Sequence, residues 1–251
     1  MIRRPPRSTQ GVSSAASDVY KRQGLSVEPV STQIVQRDRH AEFLTTVAII
    51  GGSLEKFATE IRGLQKTEVR EVEEPFAEGQ TGSSSMPHKR NPEKCERITG
   101  IARILRGYAS TGLENIALWH ERDISHSSTE RVILPDACLL LDYALDMFTD
   151  IVSRLQVYPE RMLQNMEATH GLVFSQRVLL ELVEAGLSRD DAYGIVQRNA
   201  MECWGTGQSF LKLLSEDENV TAHLDEAQLR SLFDYNYFLN NFSVTFERLS
   251  L

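Results

Sequence analysis

The longest regular pattern of apolar residues lies between Gln33 and Gln65. Its large apolar side chains recur at alternating intervals of four and three residues. They are Phe43, Val47, Ile50, Leu54, Phe57, Ile61 and Leu64. Such a heptad repeat is typical of a helix that packs lengthwise against other long helices. Gly51 and Gly52 lie inside the repeat, where they lower helix propensity but allow a neighbouring helix to approach closely.

Two further segments have the helical period. The first begins near Pro92, because proline suits the first turn of a helix. Its buried stripe is predicted to contain Ile98, Ile101, Leu105 and Tyr108. The second contains, in step, Ala137, Leu141, Ala144, Phe148, Ile151 and Leu155, and Pro135 is expected to kink it. The sequence therefore predicts three long helices, over residues 33–65, 93–115 and 128–155.

After Pro159 the pattern changes to shorter helices. The segment Ser188–Asp191 has the form of a capping box. Gly205 and Gly207 are predicted to end the helix that follows it, and Asp225 is predicted to cap the next one.

Because almost no segment alternates in the manner of a strand, the predicted fold class is all-α, a long-helix bundle followed by a small helical C-terminal domain. We expect a leader over 1–23, part of the long-helix domain over 24–165 with a loop at 81–92, and the C-terminal domain over 166–251. The leader has five basic side chains and one acidic one, whereas the whole chain carries a net charge of −8. It is interpreted either as a transit peptide or, preferably, as a foreign leader that takes no part in the fold.

The composition narrows the class of function. The chain has 251 residues, of which 41% are hydrophobic, enough for a sizeable core. Its net negative charge argues against nucleic acid or an anionic membrane as the main partner. Cys95, Cys138 and Cys203 are isolated from one another and are interpreted as small hydrophobic residues rather than as a disulfide or a zinc site.

The segment TGSSSMPHKRNPEK, residues 81–94, separates two helical segments and has the composition of a mobile loop. Taken alone, Ser83 is more typical of a flexible polar linker than of a catalytic site. Taken alone, Lys89 and Arg90 are typical of solvated surface charge.

The string GSSSMPHKRNP closely resembles the signature loop of the fumarase/aspartase superfamily, whose enzymes release fumarate from succinyl-bearing substrates or run related reactions. Other segments resemble one branch of it, the bacterial adenylosuccinate lyase family. They are TQIVQRDRHAEF, KFATEIRGLQKTEVREVEEPF, LWHERDISHSSTERVILPDA, FSQRVLL and FDYNYFLNNFSVTFERL. The resemblance runs from about Gly24 to Leu251 and corresponds to the later half of the family's chain. The family's general-acid histidine belongs to the half that has no counterpart here.

The resemblance implies a fumarase/aspartase-like helical fold and β-elimination of fumarate from two nucleotides of purine biosynthesis. These are adenylosuccinate, which gives AMP, and succinyl-aminoimidazole carboxamide ribotide. It further implies a cytoplasmic homotetramer with no metal or cofactor and no nucleic-acid or membrane partner. There are two alternatives. One is another enzyme of the superfamily, such as argininosuccinate lyase or a cycloisomerase. The other is an inactive fragment that acts only as a helical oligomerisation module. Because the family's acid is missing, we expect this chain alone to be nearly inactive.

The resemblance also implies the site residues. Ser83 is then the catalytic base, and Lys89 and Glu96 complete the catalytic set. A serine hydroxyl is a poor base, so it needs stabilisation of its anion, for example by successive backbone N–H groups and a nearby helix N-terminus. The residues implied for substrate binding are Gln33, Ser84, Asn91, Arg97, Arg122, Ser127 and Arg131.

Each assignment has an ordinary structural alternative. Glu96 is equally typical of a surface helix. Arg122 and Arg131 suit a phosphate or carboxylate, but they could instead form salt bridges with neighbouring acids. Those acids are Glu121, Asp123 and Glu130. Four histidines, His40, His88, His120 and His126, are interpreted as structural, because their spacing does not suit a zinc site.

Overall fold

The computed structural model describes residues 24, 30, 34–76, 86, 88–120 and 122–251. Nearly all of the regular structure in these residues is helical, which confirms the predicted fold class. The chain divides into two compact units. The first contains the described residues up to Lys66 together with Val72–Gln156, and the second contains Thr67–Glu71 and Val157–Leu251. The division after Gln156 falls slightly before the boundary predicted near residue 165.

Three long helices make up the first unit. They are α1 (Asp38–Leu64), α2 (Glu93–Glu114) and α3 (Ser125–Ser153). Helices α2 and α3 lie close to their predicted bounds, and α3 continues through Pro135. Helix α1 begins later than predicted, since residues 34–37 are not helical and residue 33 lies outside the described residues.

Helices α1 and α2 are antiparallel. Near the end of α1, Arg62 donates a hydrogen bond of 3.4 Å to Thr99 near the start of α2. Near the start of α1, Leu44 lies against Gly112 in the last turn of α2, where a Cβ would be only 2.6 Å from Leu44 Cδ1. A larger residue at Gly112 would therefore have to displace the side chain of Leu44 at this crossing.

Helices α2 and α3 are also antiparallel. Lys94, at the start of α2, donates a hydrogen bond of 2.5 Å to Asp150, near the end of α3. At the other end of α2, Asn115 and Thr129 exchange hydrogen bonds of 2.8 and 3.1 Å. The three helices therefore have two distinct ends.

We name these ends by the residues that they contain. The loop end contains residues 88–97, which lead into α2 and form its first turn. The turn end contains residues 115–131, which join α2 to α3 and form the first turns of α3.

The buried face of α1 differs from the predicted one. Phe43 and Ile50 are substantially exposed, and the prediction that they lie in the packed seam is wrong. Phe57 is half-exposed too, but its ring stacks on Phe148 of α3, with the centroids 5.8 Å apart. The buried stripe instead consists of Ala41, Leu44, Val47, Gly51, Leu54, Ala58 and Ile61. Its small residues allow α2 to approach closely, and this leaves the large side chains on another face of α1. The predicted stripe of α2 is buried apart from the half-buried Tyr108.

Two strands of two residues each, β1 (Val72–Glu73) and β2 (Gln156–Val157), form one small sheet. The second unit consists of short helices. They are α4 (Pro159–Glu167), α5 (Ser175–Glu184), α6 (Arg189–Thr206), α7 (Phe210–Glu216), α8 (Glu218–Thr221), α9 (Glu226–Ser231) and α10 (Phe242–Arg248), with 3₁₀ turns at Leu172–Phe174 and Tyr235–Leu239.

The core of the second unit surrounds Phe210, which is fully buried. Phe174 stacks against an aromatic cluster close to it, with its ring centroid 5.0 Å from that of Phe233. Arg177 lies 3.8 Å above the ring of Tyr237 and donates a hydrogen bond of 2.6 Å to the carbonyl of Leu232. These contacts attach the C-terminal segment to the core.

The predicted helix caps can be compared with the structure directly. Ser188 and Asp225 are the N-caps of α6 and α9, as predicted. The capping box expected at Ser188–Asp191 is incomplete, because the carboxylate of Asp191 accepts from the hydroxyl of Ser188. A complete capping box is found instead at Asp225, with Gln228. Gly207 ends α6 with a positive φ of 72°, whereas Gly205 lies within the helix and does not end it.

Cys95 and Cys203 are buried as predicted, but Cys138 is exposed. Among the described residues no cluster of histidine, cysteine and acidic side chains could hold a metal ion. Within the same part of the chain, no helix is both long enough and apolar enough to cross a membrane.

Candidate active site

The loop end holds two of the predicted site residues just before α2. Lys89 has an exposed side chain, and its backbone N–H donates to the carbonyl of Met86 at 3.1 Å. Asn91 is exposed too, and its carbonyl accepts a hydrogen bond of 2.8 Å from the N–H of Glu93. A cation and an amide therefore lie two residues apart on a stretch whose backbone is hydrogen-bonded at both ends. Ser83 and Ser84 lie outside the described residues.

The first four N–H groups of a helix lack partners within the helix, so they are available for anions or caps. In α2 all four are already bonded. The N–H of Glu93 bonds to Asn91, and that of Glu96 bonds to the carbonyl of Pro92 at 3.0 Å. The two between them bond to the carboxylate of Glu74. Glu74 therefore already occupies the donors at the start of α2. Ser83 lies outside the described residues, so the expectation that a helix N-terminus stabilises the base stays a prediction.

The two predicted site residues on α2 itself lie on its first turn. Glu96 and Arg97 are both exposed. Arg97 forms an ion pair with Glu93 one turn earlier. Because both members of this pair are well exposed to water, it contributes little to stability, and Arg97 can exchange its partner for a ligand at small cost.

The turn end is organised by Asp123. Its carboxylate accepts hydrogen bonds of 2.8 Å from the backbone N–H groups of Trp119 and Ser125. The hydrogen bond from the hydroxyl of Ser125, followed by those from the backbone, lowers the pKa of Asp123 to about 2. This arrangement fixes the turn that carries Arg122. Two residues before Arg122, the backbone of His120 has a strained φ of 52°.

Two of the neighbouring acids, Asp123 and Glu130, do not neutralise the two arginines of the turn end. Arg122 and Arg131 are exposed, while Ser127 is half-buried at the start of α3. Glu130 forms an ion pair of 2.8 Å with Arg37, in which each side chain is only 13% exposed. Asp123 is bonded to backbone N–H groups. Among the described residues, neither Asp123 nor Glu130 therefore forms the salt bridge proposed as the alternative for these arginines. Glu121, the third acid, lies outside the described residues.

The histidines differ in their surroundings. His88 and His120 are exposed, and His40 is half-buried. His126 is 4% exposed, and its Nδ1 has no hydrogen-bond partner among the described residues. None of these observations gives a histidine of the described residues a catalytic geometry, so their interpretation as structural residues stays a prediction.

The chain does not bring the two clusters together. From Arg97 to Glu114, α2 rises by about 25 Å at 1.5 Å per residue. Lys89, Asn91, Glu96 and Arg97 therefore lie at one end of the three helices, and Arg122, Ser127 and Arg131 lie at the other. Gln33 precedes α1 and lies outside the described residues.

Sequence reasoning did not identify Glu74. It lies in the string EVEEPF, where nothing local separates it from the adjacent Glu73. The contacts that distinguish it are with residues twenty positions further along the chain. Asp123 was considered only as a salt-bridge partner, although an aspartate two residues before Ser125 is a known signal for a local turn.

Comparisons with known proteins match both units. The family described as "Adenylosuccinate lyase C-terminus" matches residues 171–249, and the family described as "Lyase" matches residues 12–107. The second match begins inside the segment predicted to be a leader.

The relatives are similar over most of this chain. The adenylosuccinate lyase of Bacillus subtilis strain 168 is 55% identical over 233 residues, which are 93% of this chain and 54% of that protein. The adenylosuccinate lyase of Thermotoga maritima is 55% identical over 225 residues, which are 90% of this chain and 52% of that protein. The chain thus spans about half the length of the curated relatives that it matches.

A solved structure supports the same architecture. The 3-carboxy-cis,cis-muconate lactonizing enzyme from Pseudomonas putida superposes with a TM-score of 0.78 at 33% sequence identity. The superposition covers 89% of this chain and 49% of that one. The helical arrangement described above is therefore shared with a solved enzyme.

Proposed function

Because this chain belongs to the adenylosuccinate lyase family and corresponds to its later half, we propose that it supplies part of the active site of an adenylosuccinate lyase. The complete enzyme eliminates fumarate from adenylosuccinate, giving AMP, and from succinyl-aminoimidazole carboxamide ribotide. This proposal assigns the enzyme to purine biosynthesis in the cytoplasm, with a small nucleotide as its substrate.

The chemistry requires both a base and fixed positive charge. Removal of a proton next to a carboxylate places two negative charges on one carboxyl group before the C–N bond breaks. Donors and cations that are already in position lower the energy of such an intermediate. In the proposal Ser83 removes the proton, while Lys89 and Asn91 supply an exposed cation and an amide donor. Because the N–H groups at the start of α2 are already bonded, the proposal assigns the stabilisation to other groups, among them these two side chains.

The observation that carries the proposal is that the two arginines at the turn end are available to bind an anion. Arg122 and Arg131 are exposed and have no carboxylate partner among the described residues, because Glu130 binds Arg37. Exposed guanidinium groups without a carboxylate partner are suited to a phosphate. A phosphate-bearing substrate favours a nucleotide lyase over the superfamily's lyases that act on substrates without phosphate.

The proposal includes self-association into a homotetramer. One chain separates the loop end from the turn end by the length of α2, so a site that uses both ends needs a second copy of the chain. The exposed side chains of Phe43, Ile50 and Phe57 recur every seven residues along α1. Such an apolar stripe supports packing against another long helix.

The test uses this chain completed with the remaining N-terminal segment of the Bacillus subtilis relative. Turnover is followed by the loss of adenylosuccinate absorbance. We expect Ser83→Ala to lower turnover by roughly 10²–10⁴-fold, the usual contribution of a positioned acid or base, and to leave AMP binding intact. Arg131→Ala should weaken AMP binding, whereas Arg103→Ala, which removes an exposed arginine elsewhere on α2, should change neither.

Mixing the Ser83→Ala and Arg131→Ala variants, at a substrate concentration at which each alone turns over far more slowly than the parent, tests the shared site. If the loop end and the turn end of each site come from different copies, co-refolded Ser83→Ala and Arg131→Ala chains form some intact sites and recover part of the turnover. Absence of recovery in a mixed tetramer would contradict the shared site. Absence of turnover in the completed parent enzyme would contradict the proposed function, and undiminished turnover in Ser83→Ala would contradict the assignment of the base.

A further inference from the structure

Glu74 is an unusual residue for its place in the fold. It lies just after β1 in a stretch without regular structure, yet it is only 7% exposed. Its Oε2 accepts a hydrogen bond of 3.1 Å from the N–H of Lys94, and its Oε1 accepts one of 2.6 Å from the N–H of Cys95. A carboxylate from outside the helix therefore does what an N-cap side chain usually does. The residue at the N-cap position itself, Pro92, provides no side-chain cap.

The same residue is tied to α1. The backbone N–H of Glu74 donates to Oε1 of Gln65, which directly follows α1, at 3.0 Å. The amide group of Gln65 in turn donates to the carbonyl of Arg90 at 3.4 Å. The end of α1, the segment after β1 and the start of α2 are thus connected through one glutamate and one glutamine.

A second contact closes the same stretch of chain. The guanidinium of Arg90 forms an ion pair of 2.9 Å with Glu73 and lies 5.3 Å from the centre of the ring of Phe76. Residues 73–76 and 90–95 are therefore held together on the two sides of the segment that contains the signature string. Of these contacts, the one made by Glu74 is the most buried, and its loss would leave two backbone donors without partners in the core.

We propose that Glu74 is a positioning residue of the active site. Its carboxylate fixes the backbone of residues 89–95, from which the side chains of Lys89 and Asn91 project. The proposal rests on the proposed function, because it assigns Glu74 a role in placing the cation and the amide that stabilise the intermediate. Helix α2 begins two residues after Asn91, so a shift of its first turn is passed directly to these side chains. Glu74 itself touches no substrate and acts only through the backbone that it binds.

The test compares Glu74→Gln with Glu60→Gln. The first variant keeps the shape of the side chain but places an NH₂ group opposite a backbone N–H, so one helix donor loses its acceptor. The second makes the same change of charge at an exposed position on α1. In the completed enzyme, we expect Glu74→Gln to lower kcat by about 10- to 100-fold, as misplacement of catalytic groups does. The dissociation constant of AMP should stay unchanged, because its phosphate is proposed to bind at the turn end. Glu60→Gln should change neither quantity.

A second measurement uses the 251-residue chain alone. Amide hydrogen exchange should become faster in Glu74→Gln at whichever of Lys94 and Cys95 loses its acceptor, and also at Lys89, whose N–H bonds to Met86. A role limited to capping α2 would change the exchange at the start of α2 and leave Lys89 protected, which would overturn the proposal. A completed Glu74→Gln enzyme with native kcat would also overturn it. If the completed parent enzyme shows no turnover, the proposed function falls, and the exchange at Lys89 still decides the role of Glu74.

Discussion

Gly51 and Gly52 are adjacent in the middle of α1, but only one of them has a neighbouring helix against it. A Cβ on Gly51 would lie 2.8 Å from Cδ1 of Leu105 and 3.7 Å from Cα of Ala102, both on α2. A Cβ on Gly52 would meet nothing within 4 Å. Replacing each glycine by alanine therefore makes the same chemical change in two different surroundings.

The expected magnitudes follow from these distances. In both variants alanine removes the helix penalty of glycine, which is worth about 1 kcal/mol. In Gly51→Ala the new methyl group must displace the side chain of Leu105, which is buried, at 1% exposure. Overpacking of this kind costs about 1–3 kcal/mol. Gly52→Ala should therefore stabilise the chain by about 1 kcal/mol, and Gly51→Ala should be less stable than Gly52→Ala by about 1–3 kcal/mol.

Urea unfolding followed by far-ultraviolet circular dichroism measures this difference. All three proteins are compared at one protein concentration, because self-association would make stability depend on concentration. Equal stabilisation by the two substitutions would refute the reasoning, since it would mean that α2 does not lie against Gly51. Gly112→Ala, where the new Cβ would lie 2.6 Å from Leu44 Cδ1, provides an independent repeat on α2.

Three further predictions concern stability. Burial opposes ionisation of Asp217, but hydrogen bonds led by that from Asn199 outweigh it and lower the pKa of Asp217 to about 2. The stability that the ionised carboxylate adds is present above the unfolded pKa, near 4, and is lost as the pH falls towards 2. Acid unfolding should therefore remove about 2 kcal/mol more from the parent chain than from Asp217→Asn, and equal losses would contradict this. Phe174→Ala, at a side chain 2% exposed, should lower the unfolding free energy by about 3–5 kcal/mol, and a loss below about 1 kcal/mol in urea unfolding would contradict the packing described for the aromatic cluster. Asn115→Ala breaks both hydrogen bonds to Thr129 and should cost about 1–3 kcal/mol, whereas a thermal midpoint equal to that of the parent would argue against this link between α2 and α3.

Local sequence signals were sufficient to locate the long helices of the first unit. The starts and ends of α2 and α3 lie within a few residues of the predicted bounds, because helix periodicity and terminal residues act over one or two turns. The caps at Ser188 and Asp225 were predicted for the same reason. The signature string identified the family without any knowledge of the fold. For Ser83 and the other proposed site residues, the sequence provides the assignment and the structure provides only the positions of those that it describes.

Tertiary structure decided the properties that depend on distant contacts. Helix α1 is apolar on more than one face, so its periodicity could not show that the side with Gly51, rather than the side with Phe57, packs against α2. Nothing near Glu74 in the sequence could show that it caps a helix beginning about twenty residues later. The antiparallel course of the three helices places the loop end and the turn end about 25 Å apart. The sequence names the site residues but does not give their positions. Folding determines which of these residues one copy of the chain can bring to the same place.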